Sequence, residues 1–128
     1  MKLYKAEKKG PLIILKAFVE GPAGKAYPSL LLDTGSAYTI LSQEILESIG
    51  SSPAIAKRTQ RIITGSGYEI VPVVLANRFH CLGKLLENFA ILAHTLPFGV
   101  YVDGLLGMDF LNLFEVEIKL HSGEILIK

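Results

Sequence analysis

One aspartate stands at the end of a hydrophobic run and is followed by a small polar turn. Three leucines at residues 30–32 precede Asp33, and Thr34, Gly35 and Ser36 follow it directly. This order predicts a buried strand that ends on a carboxylate, with a glycine that lets neighbouring backbone approach closely. We expect the hydroxyl groups of Thr34 and Ser36 to donate hydrogen bonds that orient the carboxylate.

A carboxylate held in this way could take part in acid–base catalysis, but it could not do so alone. Hydrolysis of an amide by an activated water needs both a base and an acid. Two neighbouring carboxylates that share one proton supply both, because their mutual repulsion separates their pKa values. The sequence contains the Asp-Thr-Gly motif once, at Asp33. On the motif alone, a strand followed by an ordinary Asx-type turn is an alternative interpretation.

Length and composition restrict the classes of protein to consider. The chain has 128 residues, of which 50% are hydrophobic and 20% charged, so we expect one globular domain over residues 1–128. A net charge of +1 gives no electrostatic reason to expect nucleic acid or an anionic membrane as a partner. No run approaches the roughly 20 apolar residues that a membrane-spanning helix needs. The single cysteine, Cys81, excludes an internal disulfide and is typical of a reducing compartment, so we expect a cytoplasmic protein.

The first half of the sequence predicts a hairpin and one helix. Residues 12–20 and 25–32 are strand-like and flank a turn at residues 21–24. Apolar residues on one face of residues 42–49 predict a short amphipathic helix, with its first residue as the N-cap and Gly50 at its end.

The second half of the sequence predicts further strands. Strand-like runs flank Gly65, Ser66 and Gly67, which indicates a β-hairpin with a glycine-rich tip. Pro72 in the second arm indicates an edge position or an irregularity, because proline cannot donate a ladder hydrogen bond. The remaining predicted elements are, in order, a buried strand at residues 89–92, a loop at 94–102, a strand passing into a short helix at 103–114, and two strands joined at Ser122 and Gly123.

Three segments in this order resemble the retropepsin-like aspartic proteases. They are LLLDTGSAYTILSQEIL at residues 30–46, the glycine-tipped hairpin, and GLLGMDFL at residues 104–111. The resemblance extends from residue 12 to the end of the chain. It implies an all-β fold, a closed acid-protease barrel with one lobe in each chain, and hydrolysis of peptide bonds by an aspartate-activated water without metal or cofactor.

The resemblance assigns the Asp-Thr-Gly segment to the active site. Asp33 matches the catalytic aspartate, and Thr34 matches the residue whose hydroxyl bonds across the two active-site loops. Gly35 matches the motif glycine, and Ser36 stands where many aspartic proteases have serine, threonine or alanine. Because the motif occurs once, the second aspartate would come from another copy of the chain, in a two-fold homodimer with both Asp33 side chains on its axis.

Two further segments are assigned by the resemblance. The flap, which closes over an extended peptide substrate, corresponds to Thr64, Gly65, Ser66 and Gly67. The hydrophobic-hydrophobic-Gly segment that supports the active-site loop corresponds to Leu105, Leu106 and Gly107, with residues 108–113 as the helix after it.

The sequence departs from the retroviral pattern in three places. Retroviral members commonly have an arginine after the later glycine, where Met108 and Asp109 stand here, so one dimer-stabilising contact is not expected. Ser66 makes the flap tip more polar than many retroviral tips. Residues 114–128 resemble the terminal hairpin of the retropepsin-like domains in ubiquitin-shuttle proteins and in cellular or prokaryotic relatives. We expect these residues to supply much of the dimer sheet.

Two other functions fit the same residues. The fold could bind an extended peptide or serve as a dimerisation module without catalysis. It could also be a self-processing domain whose only substrate is a larger precursor. The intact Asp-Thr-Gly motif favours the enzyme, which needs a stable dimer, whereas a monomer in solution would favour the binding module.

Other residues whose side chains could take part in chemistry are interpreted as structural or solvent-exposed residues. No spacing among His80, Cys81, His94 and His121 resembles a zinc site, so no metal is expected. Asp103 is interpreted as a turn residue, with a dimer contact as the alternative. The remaining charged positions are interpreted as solvated strand faces, although the three basic ones could favour acidic residues in a substrate; they are Lys57, Arg58, Arg61, Glu115 and Glu117.

Overall fold

The computed structural model describes residues 1–96 and 101–128, which form thirteen strands and two short α-helices. The strands are β1 (Lys2–Lys5), β2 (Glu7–Lys9), β3 (Leu12–Lys16), β4 (Phe18–Gly21), β5 (Gly24–Ala26), β6 (Ser29–Leu32), β7 (Ile40–Leu41), β8 (Arg58–Thr64), β9 (Gly67–Cys81), β10 (Lys84–Ala93), β11 (Gly104–Leu106), β12 (Val116–Lys119) and β13 (Glu124–Ile127). The helices are α1 (Gln43–Ser48) and α2 (Met108–Leu111), and a 3₁₀ turn spans Pro53–Ile55. Neither of these helices is long and apolar enough to cross a membrane.

The strands are arranged in two sheets. Both ends of the chain lie in a three-stranded sheet of order β1-β13-β12, so β13 has a partner on each edge. The larger sheet has the order β2-β3-β6-β11-β7-β10-β9-β4-β5, with β8 paired to β9. The prediction of an all-β fold with one or two short helices is confirmed. The closed barrel stays a prediction, since this order has β2 and β5 at its two ends.

Two parallel pairings distinguish the larger sheet from a series of hairpins. Strand β11 lies parallel to β6, and β7 lies parallel to β10. Strand β11 also pairs with β7 in the antiparallel sense, so it lies between β6 and β7. Because parallel strands end at the same edge of a sheet, the residues that follow β6 and β11 are brought side by side.

The main hydrophobic core joins both sheets and both helices. Leu30 and Leu106 of the parallel pair pack in one buried cluster with Leu46 of α1, Phe110 of α2 and Ile125 of β13. All five side chains are fully buried. Burying a side chain of this size contributes about 1.5–3 kcal/mol, so this cluster is a main source of the stability of the fold.

The predicted first hairpin is present but interrupted. Strand β3 pairs with β2 and β6, whereas β4 pairs with β5 and β9. At the change of partners, Ala17 donates its N–H to the carbonyl of Pro28. The prediction of one continuous strand over residues 12–20 is therefore wrong, because β3 and β4 are separate strands. The strand predicted at residues 25–32 is likewise divided, into β5 and β6.

Several local predictions are confirmed. Ser42 caps α1 by accepting the N–H of Ile45, and Gly50 follows the helix with a positive φ of 84°. Pro72 lies in the part of β9 that pairs with β8 alone, because pairing with β10 begins at Val73. The terminal hairpin is formed by β12 and β13.

Other elements were not predicted. The sequence analysis does not predict strands β1, β2 and β7. Strand β10 begins five residues before the strand predicted at residues 89–92. The turn between β9 and β10 places Leu82 at φ 51°, a left-handed conformation that favours glycine or asparagine, so leucine gives no turn signal there. The loop expected at residues 94–102 lies partly outside the described residues.

Candidate active site

The parallel pair β6 and β11 positions Asp33. The three leucines of β6 pair with residues 104–106, and Asp33 follows directly on the last pair. Its N–H donates a hydrogen bond of 3.1 Å to the carbonyl of Leu106. The predicted supporting segment, Leu105, Leu106 and Gly107, therefore does lie beside the Asp33 loop.

The carboxylate of Asp33 is held by main-chain groups. The Gly35 N–H donates to Asp33 Oδ1 at 2.9 Å, and the Ser36 N–H donates to the Asp33 carbonyl at 3.2 Å. The expectation that the Ser36 hydroxyl orients the carboxylate is wrong, because it donates instead to the Tyr38 carbonyl at 2.7 Å. Thr34 is exposed. The turn itself, with a glycine N–H at close range, supplies the orientation that we expected from hydroxyl groups.

Thr39 and Asp109 tie the Asp33 loop to α2, and the sequence analysis did not identify them as a pair. Thr39 is fully buried, and its hydroxyl donates to Asp109 Oδ1 at 2.7 Å while accepting the Gly107 N–H at 3.2 Å. The Thr39 N–H donates to Asp109 Oδ2 at 2.9 Å. Both carboxylate oxygens are therefore used, which fixes the loop against the start of α2. The signal in the sequence for this role was that Thr39, a polar residue, stands directly before the apolar pair Ile40 and Leu41.

Gly107 of the supporting segment, and Gly104 just before that segment, are required by close backbone approach. A Cβ atom on Gly107 would overlap the carbonyl group of Tyr38, and one on Gly104 would overlap the carbonyl oxygen of Ile40. In both cases the obstacle is backbone, which cannot move aside as the end of a side chain can. The hydrophobic-hydrophobic-Gly pattern therefore has a steric cause in this chain.

Asp103 has a structural role of the predicted kind. Its Oδ2 accepts the N–H of Ser29 at 2.9 Å, and its own N–H donates to the Ser29 carbonyl at 2.8 Å. Its carbonyl accepts the N–H of Ser42. These bonds set the register of β6 and β11 before the chain reaches Asp33.

A cleft of about 610 Å³ lies between the Asp33 loop and the hairpin of β8 and β9, which we call the flap hairpin. Asp33 and Tyr38 line one side of it, and Ile62 and Thr64 line the flap side. Thr64 thus lines the same cleft as Asp33. The tip residues, Gly65, Ser66 and Gly67, are exposed and do not line this cleft.

Charged and polarisable groups also line the cleft. His94 Nε2 lies 3.5 Å from Glu69 Oε2 on β9, an ion pair whenever the imidazole is protonated. The sequence analysis interprets His94 as an ordinary loop or strand residue. Its place in the cleft follows from the hydrogen bond that its main-chain N–H donates to the Leu41 carbonyl. Arg61 lines the cleft as well, with its guanidinium 5.2 Å from the centre of the Tyr68 ring.

The other candidate residues lie outside the cleft. Cys81 is buried, and loss of hydration raises the pKa of its thiol to about 12, so it is not an activated nucleophile. Within residues 1–96 and 101–128, no three His, Cys, Asp or Glu side chains are grouped closely enough to hold a metal ion. Glu115 and Glu117 are exposed, with the half-buried Val116 between them, as expected for one face of a strand.

A protein family and a solved structure are similar to this chain. The family model described as "gag-polyprotein putative aspartyl protease" matches residues 23–113. The crystal structure of a retropepsin-like aspartic protease from Rickettsia conorii is similar with a TM-score of 0.73 and 19% sequence identity, covering 98% of this chain and 91% of that chain. At this identity the likeness concerns the fold. No curated protein sequence matches the chain.

Proposed function

Because the chain belongs to the gag-polyprotein aspartyl protease family and has a retropepsin-like fold, we propose that it is an aspartic endopeptidase that works as a homodimer. The observation that carries this proposal is the position of Asp33. Its carboxylate is partly exposed at the end of β6, fixed by the Gly35 N–H, and faces a cleft bounded by the flap hairpin. Among residues 1–96 and 101–128, no basic side chain forms an ion pair with Asp33. A carboxylate without such a partner in an open cleft is available for chemistry.

The surface beside Asp33 supports a second copy of the chain. A hollow that touches Asp33 and Thr34 is lined mainly by apolar residues, including Leu12 and Leu120, which are 37% and 69% exposed. Exposed apolar surface of this kind is typical of an interface between proteins. Thr34 is exposed at the same place, so its hydroxyl is available to bond to the matching loop of the second copy.

The terminal sheet restricts how the two copies pair. Strand β13 already has β1 on one edge and β12 on the other. Main-chain pairing across the two-fold axis would therefore use the outer edge of β1 or of β12. The expectation that the terminal hairpin contributes to the dimer sheet is retained as a proposal, with β12 as its contributing strand and β1 as the alternative.

In the proposed reaction the two Asp33 side chains act together on one water. The ionised carboxylate accepts a proton from the water, whose oxygen attacks the carbonyl carbon of the scissile peptide bond. The protonated carboxyl donates a hydrogen bond to the carbonyl oxygen. The C–N bond then breaks as a proton from the pair reaches the leaving nitrogen, which leaves a carboxylic acid and an amine.

An extended peptide is the substrate that this cleft fits best. Main-chain groups of a strand-like peptide can bond to the floor and to the flap hairpin, as in other additions of a strand to a sheet. Ile40, Ile62 and Leu105 give the cleft an apolar wall for substrate side chains. We therefore expect cleavage beside apolar residues.

The test is cleavage of a diverse peptide library from about pH 4 to pH 7 by the wild type and by Asp33→Asn. We expect the substitution to lower kcat at least about a thousandfold, because the pair loses its shared acid and base. Sedimentation should show that the variant still dimerises. Cleavage that survives in Asp33→Asn, or none by a fully dimeric wild type, would overturn the proposal.

A second variant tests the dimer separately. Leu120→Asp places a charge on the exposed apolar surface beside Asp33 and should produce a folded monomer without activity. Leu85→Asp is the matched control, since Leu85 is also exposed, at 52%, but does not line that hollow. An active Leu120→Asp monomer would show that one chain suffices.

A further inference from the structure

A second groove borders the base of the flap hairpin. It has a volume of about 390 Å³ and is bordered by residues from the segment 50–58 and by Val73, Val74, Leu75 and Asn77 of β9. In the part of the chain that the structure describes, it shares no lining residue with the Asp33 cleft. A ligand in this groove would therefore not occupy the proposed active site.

The groove exists because one edge of β9 is not continuously paired. Strand β8 leaves β9 at the pair Arg58 and Val73, and β4 joins it at the pair Glu20 and Arg78. Between these pairs the carbonyl of Leu75 accepts the Ser51 hydroxyl at 3.0 Å. In an extended strand the N–H and carbonyl of one residue point the same way, so the Leu75 main chain faces the groove.

The side chains around the groove combine positive charge with exposed apolar surface. Lys57 and Arg58 line it, and no Asp or Glu does so within the described part of the chain. Ile55 and Leu75 are 76% and 54% exposed there. The chain as a whole has a net charge of only +1, so the positive charge is a local property of this groove.

We propose that this groove is a docking site for an extended segment of a partner protein in which acidic residues alternate with aliphatic ones. The carboxylates would pair with Lys57 and Arg58, and the aliphatic side chains would cover Ile55 and Leu75. Charge complementarity selects this occupant, because an acidic peptide is attracted and a basic one is repelled. The proposal does not depend on proteolysis.

The position of the groove gives docking a consequence for the flap hairpin. Arg58 is the first residue of β8 and pairs with Val73 at the base of that hairpin. A segment bound to Arg58 would therefore contact the base of the hairpin that faces Asp33. A partner docked there would be held next to the cleft without entering it.

The test uses the full chain with Asp33→Asn, so that no probe is cut, and a fluorescein-labelled octapeptide of alternating Glu and Leu. We expect saturable binding by fluorescence anisotropy, with the amide shifts in NMR spectra concentrated in residues 50–58 and 73–77. Lys57→Glu/Arg58→Glu should weaken binding by about tenfold or more, since two attractions become repulsions. Ile55→Ser should weaken it by a smaller factor.

The controls match charge and length. An octapeptide of alternating Lys and Leu should not bind, and Lys2→Glu/Lys84→Glu, which changes the net charge equally, should leave the affinity unchanged. Shifts confined to residues around Asp33, or affinity that survives in Lys57→Glu/Arg58→Glu, would overturn the proposal. The proposal would also be overturned if the protein self-associates, and if Lys57→Glu/Arg58→Glu abolishes this association while Lys2→Glu/Lys84→Glu does not. That result would show that the groove binds a second copy of the chain.

Discussion

The loop that carries Asp33 and the flap hairpin that faces it differ in the burial and the contacts of their side chains. Around the loop, Thr39 is fully buried and bonded to Asp109 and Gly107, residues from a distant part of the chain. In the flap hairpin, Ile63 and Tyr68 form a cross-strand pair yet are 91% and 63% exposed. The loop is held by tertiary contacts, whereas the tip half of the flap hairpin is held mainly by pairing between its own two strands.

This difference matches the tasks proposed for the two regions. A carboxylate that must meet a second carboxylate and a water needs a fixed position, and buried hydrogen bonds supply it. A hairpin that admits and then covers a peptide must open, and segments with few buried contacts open at low cost. The contrast in burial can therefore be tested as a contrast in stability.

The largest effect is expected between a thiol in the core that supports the Asp33 loop and a thiol at the flap tip. Cys81 is 1% exposed and belongs to the core that contains Leu106, whereas Ser66→Cys places a thiol on the exposed flap tip. At about pH 8, iodoacetamide should label the tip more than about a thousandfold faster, because reaction needs an accessible thiolate. Mass spectrometry measures both rates in one sample. Comparable rates would mean that the core opens as readily as the flap.

The next largest effect concerns two glycines. Gly107→Ala sets a Cβ against the Tyr38 carbonyl, and we expect it to lower the free energy of unfolding by about 3 kcal/mol or more. Gly65→Ala is the control, because a Cβ on Gly65 meets nothing within 4 Å, and it should change the value by less than about 0.5 kcal/mol. Urea unfolding at one protein concentration measures both. Equal losses of unfolding free energy in the two variants would argue against the difference in packing between the two regions.

A smaller effect is expected from removing one hydroxyl in each region. Thr39→Val breaks the bond to Asp109 and leaves the Gly107 N–H without an acceptor, which should cost about 2 kcal/mol. Thr64→Val removes a hydroxyl that lies 3.3 Å from Ser66 Oγ in an exposed turn, and should cost less than about 0.5 kcal/mol. Thr39→Ser should restore most of the stability. If it does not, the lost methyl group matters more than the bond.

The smallest effect is expected for the ion pair between the flap hairpin and the cleft wall. Glu69→Gln removes the partner of His94, and because both side chains are partly exposed the loss should be below about 1 kcal/mol. A double-mutant cycle with His94→Gln isolates the interaction between the two side chains. A coupling energy of zero in that cycle would argue against the interaction.

Local signals predicted the elements that local chemistry stabilises. Ser42 caps the start of α1, and Gly50 with its positive φ follows its end. Both helix ends were expected from residue type alone. The glycine-tipped hairpin and the terminal hairpin were predicted for the same reason. Where local signals and tertiary pairing disagreed, as at Ala17, the pairing decided the break in the strand.

The support of the site could not be predicted in the same way. The hydrogen bond between Thr39 and Asp109 joins residues separated by 70 positions, and nothing near either residue indicates the other. Asp109 was noted only as a departure from a retroviral pattern. The position of His94 in the cleft likewise depends on the parallel pairing of β7 and β10.

The sequence by itself predicted the all-β character, because strand periodicity is encoded by neighbouring residues. The resemblance carried by the Asp33 turn and two further segments implied the type of protein and the residue proposed for catalysis. Only the tertiary structure decided what holds that residue in place and where the basic pair Lys57 and Arg58 lies. The reason is physical: a parallel pairing, a buried carboxylate bond and an open strand edge each depend on segments that meet only after the chain has folded.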